Sequence, residues 1–470
     1  MKRALAGLAA FGALAAAAFA GRSSSADDPQ QAAPAPAASA SPTQPDESLL
    51  GTVEVNGSAG LPPLPKLAVV PIVSTGTADS IVVLVVRRDM ELSGQFDVMD
   101  EGTSPPGPFL HATPLDLGAW RAQGAEYVLR VFAEPAPNDS IKTQLVGEAY
   151  VTPTRAPSAP TVEARPAFRV AMATVTTEVR AASHRLVDLL LGALTGRPGG
   201  FASEMVYAQK VGRWRRVFAI DSDGFDLRPI GPSDATAVSP AFGPNDQVFY
   251  ALSRDYSPFR LAFGPNATPV PLAIPGSILG VAFSADHARM ALTVMTEGRS
   301  ELWIGARGAL EQAGAKPFAN HPVFGPLGKM AYVAGTPMQR VYLGETPISP
   351  PGFMASAPVF CDTPQGLLVI YTVGVGSGAD IVASDSNGGN VRRLTQHEGA
   401  NTYAACSPDG RLVSFFSTGK VKRGSGGQDE GSGLFIMPIA RPWLAKKISS
   451  EVGEALRWEA LPAAGGIVER

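Results

Sequence analysis

Two cysteines, five scattered histidines and a charged content of only 17% leave this 470-residue chain short of the side chains that most chemistry needs. His111, His184, His287, His321 and His397 never fall into a His-Glu-x-x-His pattern, and the cysteines never form Cys-x-x-Cys. No metal site is expected on those grounds. There is no Gly-x-Ser-x-Gly elbow, which argues against a propeller-gated α/β-hydrolase. The glycine-rich Gly374–Gly378 lacks the Gly-Lys-Ser/Thr that a phosphate loop requires, and reads as a hairpin tip. No catalytic residue, no cofactor and no enzyme activity are therefore expected. The formal charge is −3, with no basic patch to hold nucleic acid. Beyond the first twenty residues no apolar run is long enough to cross a bilayer.

What the chain does have is turns and a repeat. Fifty glycines and 42 prolines accompany an apolar content of 45%, a turn-rich, β-leaning composition. From Ser239 the sequence reads Ser-Pro-Ala-Phe-Gly-Pro-Asn-Asp, and related octets begin at Gly280, His321, Ala357 and Tyr403. A degraded copy ends at Trp458. Aligning the apolar anchors Phe242, Phe283, Phe324, Phe360, Cys406 and Trp458 gives spacings of 41, 41, 36, 46 and 52 residues. A period of roughly 40–50 residues is one four-stranded propeller blade. The anchor can pack between adjacent blades. The Ser-Pro-Asp-Gly type of ending, intact only at Ser407–Gly410, makes the tight turn into the next strand.

Counting strands indicates how such a ring closes. Only twelve residues follow Trp458, too few for three further strands. Three candidates without an inner partner precede the first octet, at Ser203–Gln209, Trp214–Ile220 and Asp226–Ile230. Five continuous blades and one composite blade, its inner strand supplied by the C-terminus, would leave no free edge.

The remainder divides into three parts. Met1–Ala20 carries Lys2 and Arg3, an Ala/Leu-rich core and the small-x-small site Ala18, Phe19, Ala20, which predicts an export signal cleaved near Ala20. Without Lys2 and Arg3 the balance becomes 37 basic against 42 acidic residues. Gly21–Glu47 is rich in Ala, Pro, Ser and Gln, and a flexible tether is expected over 21–65. Over 66–198, short strands alternate with helical patterns at Ala78–Ser93, Leu117–Gln123 and Thr177–Leu194, which predicts a small α/β domain. The fold class is thus two-domain, an α/β domain followed by an all-β six-bladed propeller over 199–470.

At the junction the chain resembles the TolB family, periplasmic propeller proteins of the Tol-Pal system in Gram-negative envelopes. The resemblance rests on Arg180, His184 and Asp188 on one helix, then Leu194-Thr195-Gly196, Gly199, Phe201 and Tyr207. Further support comes from the hairpin Ile220–Leu227, from Leu92–Phe96, from Trp120 with Gly124–Val128, and from the octets; coverage is roughly Lys66 to Trp458. Where the family's second octet follows an Asn-Gly-Ala-Pro loop, this chain has Ile278, Leu279, Gly280 and Val281. The resemblance implies a periplasmic, non-enzymatic adaptor. Its propeller would bind the peptidoglycan-associated lipoprotein Pal, and its N-terminal end would meet a TolA-like protein anchored in the inner membrane. The system supports outer-membrane integrity and constriction during cell division. The alternative is a propeller that binds or cleaves a small envelope ligand such as a glycan. A monomer without a membrane span is expected.

Several residues invite a role. Arg180, His184 and Asp188 share one helix face and are expected to fix the domain junction rather than to act as an acid/base pair. Cys406 occupies an anchor position and Cys361 follows one. Neighbouring strand residues face opposite ways, so two buried free thiols are expected. Partner binding is expected at the channel mouth, where the loops entering the inner strands converge. Ser277, Asn320, His321, Asn401 and Tyr403 are the candidates there. The Gly/Ser-rich stretch 419–433 reads as a disordered hairpin tip on the fifth blade.

Overall fold

The computed structural model describes residues 46–51, 60–73, 76–137, 139–153, 164–314, 316–396, 399–419 and 431–460. The expected export signal, the expected tether as far as 45 and most of the 419–433 insert lie outside these residues.

The α/β part is built on β1 (Lys66–Val69), β2 (Asp97–Val98), β3 (Tyr127–Ala136), β4 (Asp139–Val151) and β5 (Phe168–Val175). They form one sheet in the order β2-β1-β3-β4-β5; β1 runs parallel to both neighbours and the remaining pairs are antiparallel. The pleat sorts β3 between two faces. Leu129, Val131 and Ala133 face helices α1 (Thr77–Leu92) and α3 (Val179–Thr195). Val128 faces Trp120 of α2 (Leu117–Ala122) on the other side. Val82, Val86 and Met90 recur every four residues on α1, the spacing of a buried helix face. Gly147 on β4 lets α3 lie close, because a Cβ there would sit 3.0 Å from a Leu186 methyl. Gly196, with φ of 79°, ends α3 in the left-handed conformation that glycine adopts freely.

Six four-stranded antiparallel sheets follow. Blades 1 to 5 have the inner strands Thr236–Gly243, Ser277–Phe283, Asn320–Phe324, Ala355–Thr363 and Asn401–Cys406. The sixth is composite. Glu454–Trp458 pairs with β6 (Glu204–Val211), with Trp458 opposite Met205, and β7 (Trp214–Asp221) and β8 (Arg228–Ile230) complete the sheet. The closure read from the repeat is the one present.

The anchors Phe283, Phe324 and Phe360 face back toward the preceding blade. Phe283 lies 4.8 Å from Phe249 of blade 1, the Arg289 guanidinium of blade 2 sits over Phe324, and Phe360 packs with Val333 and Val341 of blade 3. This corrects the expectation of two free thiols. Cys361 and Cys406 form a disulfide with Cα atoms 5.5 Å apart. Alternation along one strand holds, but across a blade interface it has the opposite consequence. Phe360 faces back toward blade 3, so Cys361 faces forward to blade 5. Cys406, an anchor, faces back to blade 4. Opposite faces of neighbouring blades look at each other, and the thiols meet across that interface.

A second correction concerns the tether. Its described part is bound to the folded body. Glu47–Leu50 forms a 3₁₀ turn capped by Asp46, and Leu50 is wholly buried among Val333, Val341, Ile348 and Phe353. Glu47 pairs with Arg393 at 3.2 Å. Further along, Arg441 donates to the Pro62 carbonyl at 2.5 Å. The composition of the stretch prevents it from building a core of its own; it does not exclude lending one leucine to another.

One apolar core runs from the α/β sheet into the propeller. Leu186, Leu190 and Leu191 of α3 belong to the same cluster as Phe201, Met205 and Tyr207 of the composite blade and Phe416 and Leu434 of blade 5.

Candidate functional site

The octet alignment locates the channel. Three residues before the six anchors stand Ser239, Gly280, His321, Ala357, Tyr403 and Ala455. At each of these points the inner strand slips register against its neighbour, a β-bulge. Five of the six are non-glycine residues with left-handed backbone, φ between 47° and 55°. Such a conformation costs roughly 1–2 kcal/mol per residue, and the same bulge recurs in every blade. All six border one cavity of about 10 Å³, room for a single water. Inner strands from all six blades meet there, so the cavity lies on the propeller axis.

Arg457 also lines this constriction, two residues beyond Ala455. His321 Nδ1 is buried without a hydrogen-bond partner. Burial, reinforced by the Arg457 charge, pushes the His321 imidazole down to about 4, so it is neutral near pH 7. Burial likewise lowers Arg457, and burial raises the Tyr403 phenol. The sequence pointed to His321 and Tyr403 but not to Ser239 and Arg457. For Ser239 a signal exists, because it occupies the same octet position as the other two.

The other expected partner-binding residues are placed differently. Ser277 is half-buried, its Oγ accepting from the Phe259 N–H at 2.9 Å. Asn320 is half-buried and donates to the Phe318 carbonyl at 3.1 Å. Asn401 has no exposed surface; its amide donates to the Ala379 carbonyl and to Asp380, both at 3.1 Å. It therefore cannot touch a partner directly and braces the loop from beneath. Asp380 also takes the Thr395 hydroxyl and the Arg393 guanidinium. His397 and Glu398 lie outside the described residues.

A second constellation sits where α1 and α3 meet the turn after β7. Arg180 donates to Asp221 at 3.0 Å and to Asp223 at 2.5 Å. His184 donates through Nδ1 to Asp89 of α1 at 2.6 Å, and its Nε2 lies 3.7 Å from Asp221. Burial works against charge on His184, but Asp89 and Asp221 outweigh it and lift the imidazole to about 10. Burial raises Asp89 to about 6 against the pull of His184. Asp188 accepts from the Phe201 and Ala202 N–H groups at 2.8 and 2.9 Å, while burial raises it to about 7. A Cβ at Gly199 would sit 2.4 Å from that carboxylate, so only glycine leaves Asp188 its place. Asp89, His184 and Asp223 offer ligand atoms within 4.8 Å of one another. Arg180 and protonated His184 already match two of those carboxylates, which makes the group an ion-pair network.

An α/β domain sharing one core with a six-bladed propeller, whose channel is narrowed by strained bulges, defines a two-part propeller protein. Comparison with known proteins narrows the class. A family described as the TolB amino-terminal domain matches residues 53–146. A curated relative, the Tol-Pal system protein TolB of Thiobacillus denitrificans, is 29% identical over 164 residues, 34% of this chain and 35% of the relative. The aligned stretch is thus about a third of that relative's length. The crystal structure of TolB from Acinetobacter baumannii shares the fold, with a TM-score of 0.64 at 18% identity, over 84% of this chain and 97% of that one. Residues 53–146 thus match the TolB amino-terminal domain, and the chain as a whole has the fold of a TolB crystal structure.

Proposed function

We propose that this protein is a periplasmic adaptor of the Tol-Pal system, exported by its first twenty residues and cleaved near Ala20. Its propeller docks the peptidoglycan-associated lipoprotein Pal at the channel mouth. Its N-terminal end connects to a TolA-like protein of the inner membrane. Through these two links it supports outer-membrane integrity and constriction at division, with no reaction of its own. The observation that carries this reading is the strained ring of bulges at Ser239, His321, Ala357, Tyr403 and Ala455, set on a propeller joined to a TolB amino-terminal domain. Strain of this kind is kept where a surface must present a fixed shape. Ser277, Asn320, His321 and Tyr403 form the docking face, and Asn401 holds it from below. An insertion of a partner's loop into such a funnel buries its tip among residues from several blades, which favours a few anchoring contacts.

Calorimetry of the mature protein with the soluble Pal domain of the same organism tests this. Saturable binding that weakens on changing Asn320, His321 and Tyr403 supports both partner and face. The absence of binding by a folded protein would overturn the adaptor reading and turn attention to small envelope ligands.

A further inference from the structure

The channel constriction has one charge and no counter-charge. Among the described residues that line it, none is acidic. Arg457 donates to its own neighbour's carbonyl, Leu456, at 3.0 Å, and among the described residues its remaining guanidinium N–H groups meet no other acceptor. The acidic residue nearest in sequence on that strand, Glu454, is taken by Arg215 at 2.7 Å. Beside Arg457, His321 presents Nδ1 with no partner. A neutral imidazole carries one N–H that can donate. The hydroxyl of Ser239, also at the cavity, is already spent on the Leu279 carbonyl at 2.8 Å. A guanidinium with free N–H groups at a narrow constriction offers a charge-assisted hydrogen bond to an anionic group.

We propose that the constriction is a carboxylate-binding site in which Arg457 supplies the charge and His321 a second hydrogen bond. The cavity of about 10 Å³ sets the size of what enters. It takes the tip of one carboxylate and no sugar ring. The carboxylate has two possible sources: an acidic side chain on the tip of a docked partner loop, or a free small carboxylate from the periplasm. Only the first source rests on the docking reading above.

The test compares wild type with Arg457→Gln and Arg457→Lys in full-length mature protein, each checked for an unchanged cooperative melt. Against the soluble Pal domain, Arg457→Gln is expected to weaken binding about tenfold or more, and Arg457→Lys to keep part of it. Ala357→Asp provides a second, independent variant. It places an internal carboxylate across the same cavity, at a left-handed position that aspartate tolerates, and should occupy Arg457 and weaken binding likewise. Equal binding by wild type and all variants would overturn the carboxylate site and leave the docking reading intact. If wild type does not bind Pal, the docking reading fails and a titration with sodium acetate decides the site. The Arg457 Nε–Hε resonance, assigned by its loss in Arg457→Gln, should then shift saturably with acetate and not with sodium chloride. No such shift up to about 100 mM overturns the proposal.

Discussion

Cys361 and Cys406 lie 45 residues apart in sequence and join the inner strands of neighbouring blades. The bond crosses the interface between blades 4 and 5, next to the core shared with the α/β domain. No free thiol should react in the denatured, unreduced protein. Replacing both cysteines by serine should lower stability by roughly 2–4 kcal/mol, since a closed loop of that size restricts the unfolded chain. Thiol counting and denaturant melts check both. Two reactive thiols in the denatured, unreduced protein would refute the bond.

The His184–Asp89 pair predicts a loss of stability on the alkaline side. Folded His184 holds its proton to about pH 10, against 6.5 as a free side chain. Its contribution is complete below pH 6.5 and fades as pH rises through 10. The comparison is with His184→Asn/Asp89→Asn, which removes both charges. The melting-temperature advantage of wild type should be largest near pH 7 and shrink by pH 10. A gap independent of pH over that range would mean that His184 folds without its proton.

Removing residues 453–470 takes away the inner strand of the composite blade. Two consequences should follow: loss of the single cooperative melt, and exposure of β6 as an unpaired edge that promotes aggregation. A truncated protein that melts as one unit at the same temperature would show that the ring does not depend on this strand.

Leu50→Ala probes the docked segment. Removing a wholly buried leucine costs roughly 2–5 kcal/mol, more than a six-residue segment holds in reserve. The expected result is local release. Amides of residues 47–51 should exchange faster by mass spectrometry, while the propeller melts within a few degrees of wild type. Unchanged protection of those amides would show that Glu47–Arg393 and the Asp46 cap suffice.

The repeat by itself makes most of the propeller legible. Anchors from Phe242 to Trp458 recur because each blade must fill the same wedge against its predecessor. The same regularity contains the channel, since the residue three places before each anchor is the one thrust toward the axis. Arg457 is invisible to that logic because its counterparts are Ala241, Ala282, Val323, Val359 and Ala405, small apolar residues that carry no signal. The disulfide escapes for a different reason. Strand alternation gives the direction of a side chain within one blade, whereas contact depends on how two blades stack. Leu50 is hidden by its context, one core residue in a stretch whose composition is that of a linker. The shared face of Arg180, His184 and Asp188 announces itself through helix spacing, but the partners of Arg180 and His184 (Asp89, Asp221 and Asp223) come from elements that only the fold brings together, and Asp188 holds the Phe201 and Ala202 N–H groups instead.

The composite blade also sets an order of events. Strands β6 to β8 emerge from the ribosome before any of the five continuous blades. Their partner, Glu454–Trp458, arrives after all of them. Domains usually fold as they emerge, N-terminal portions first. Here the first propeller sheet to be made must wait, incomplete, for the last. The closed ring therefore forms only once the last strand has been made, and until then the sheet begun at β6 has no inner partner.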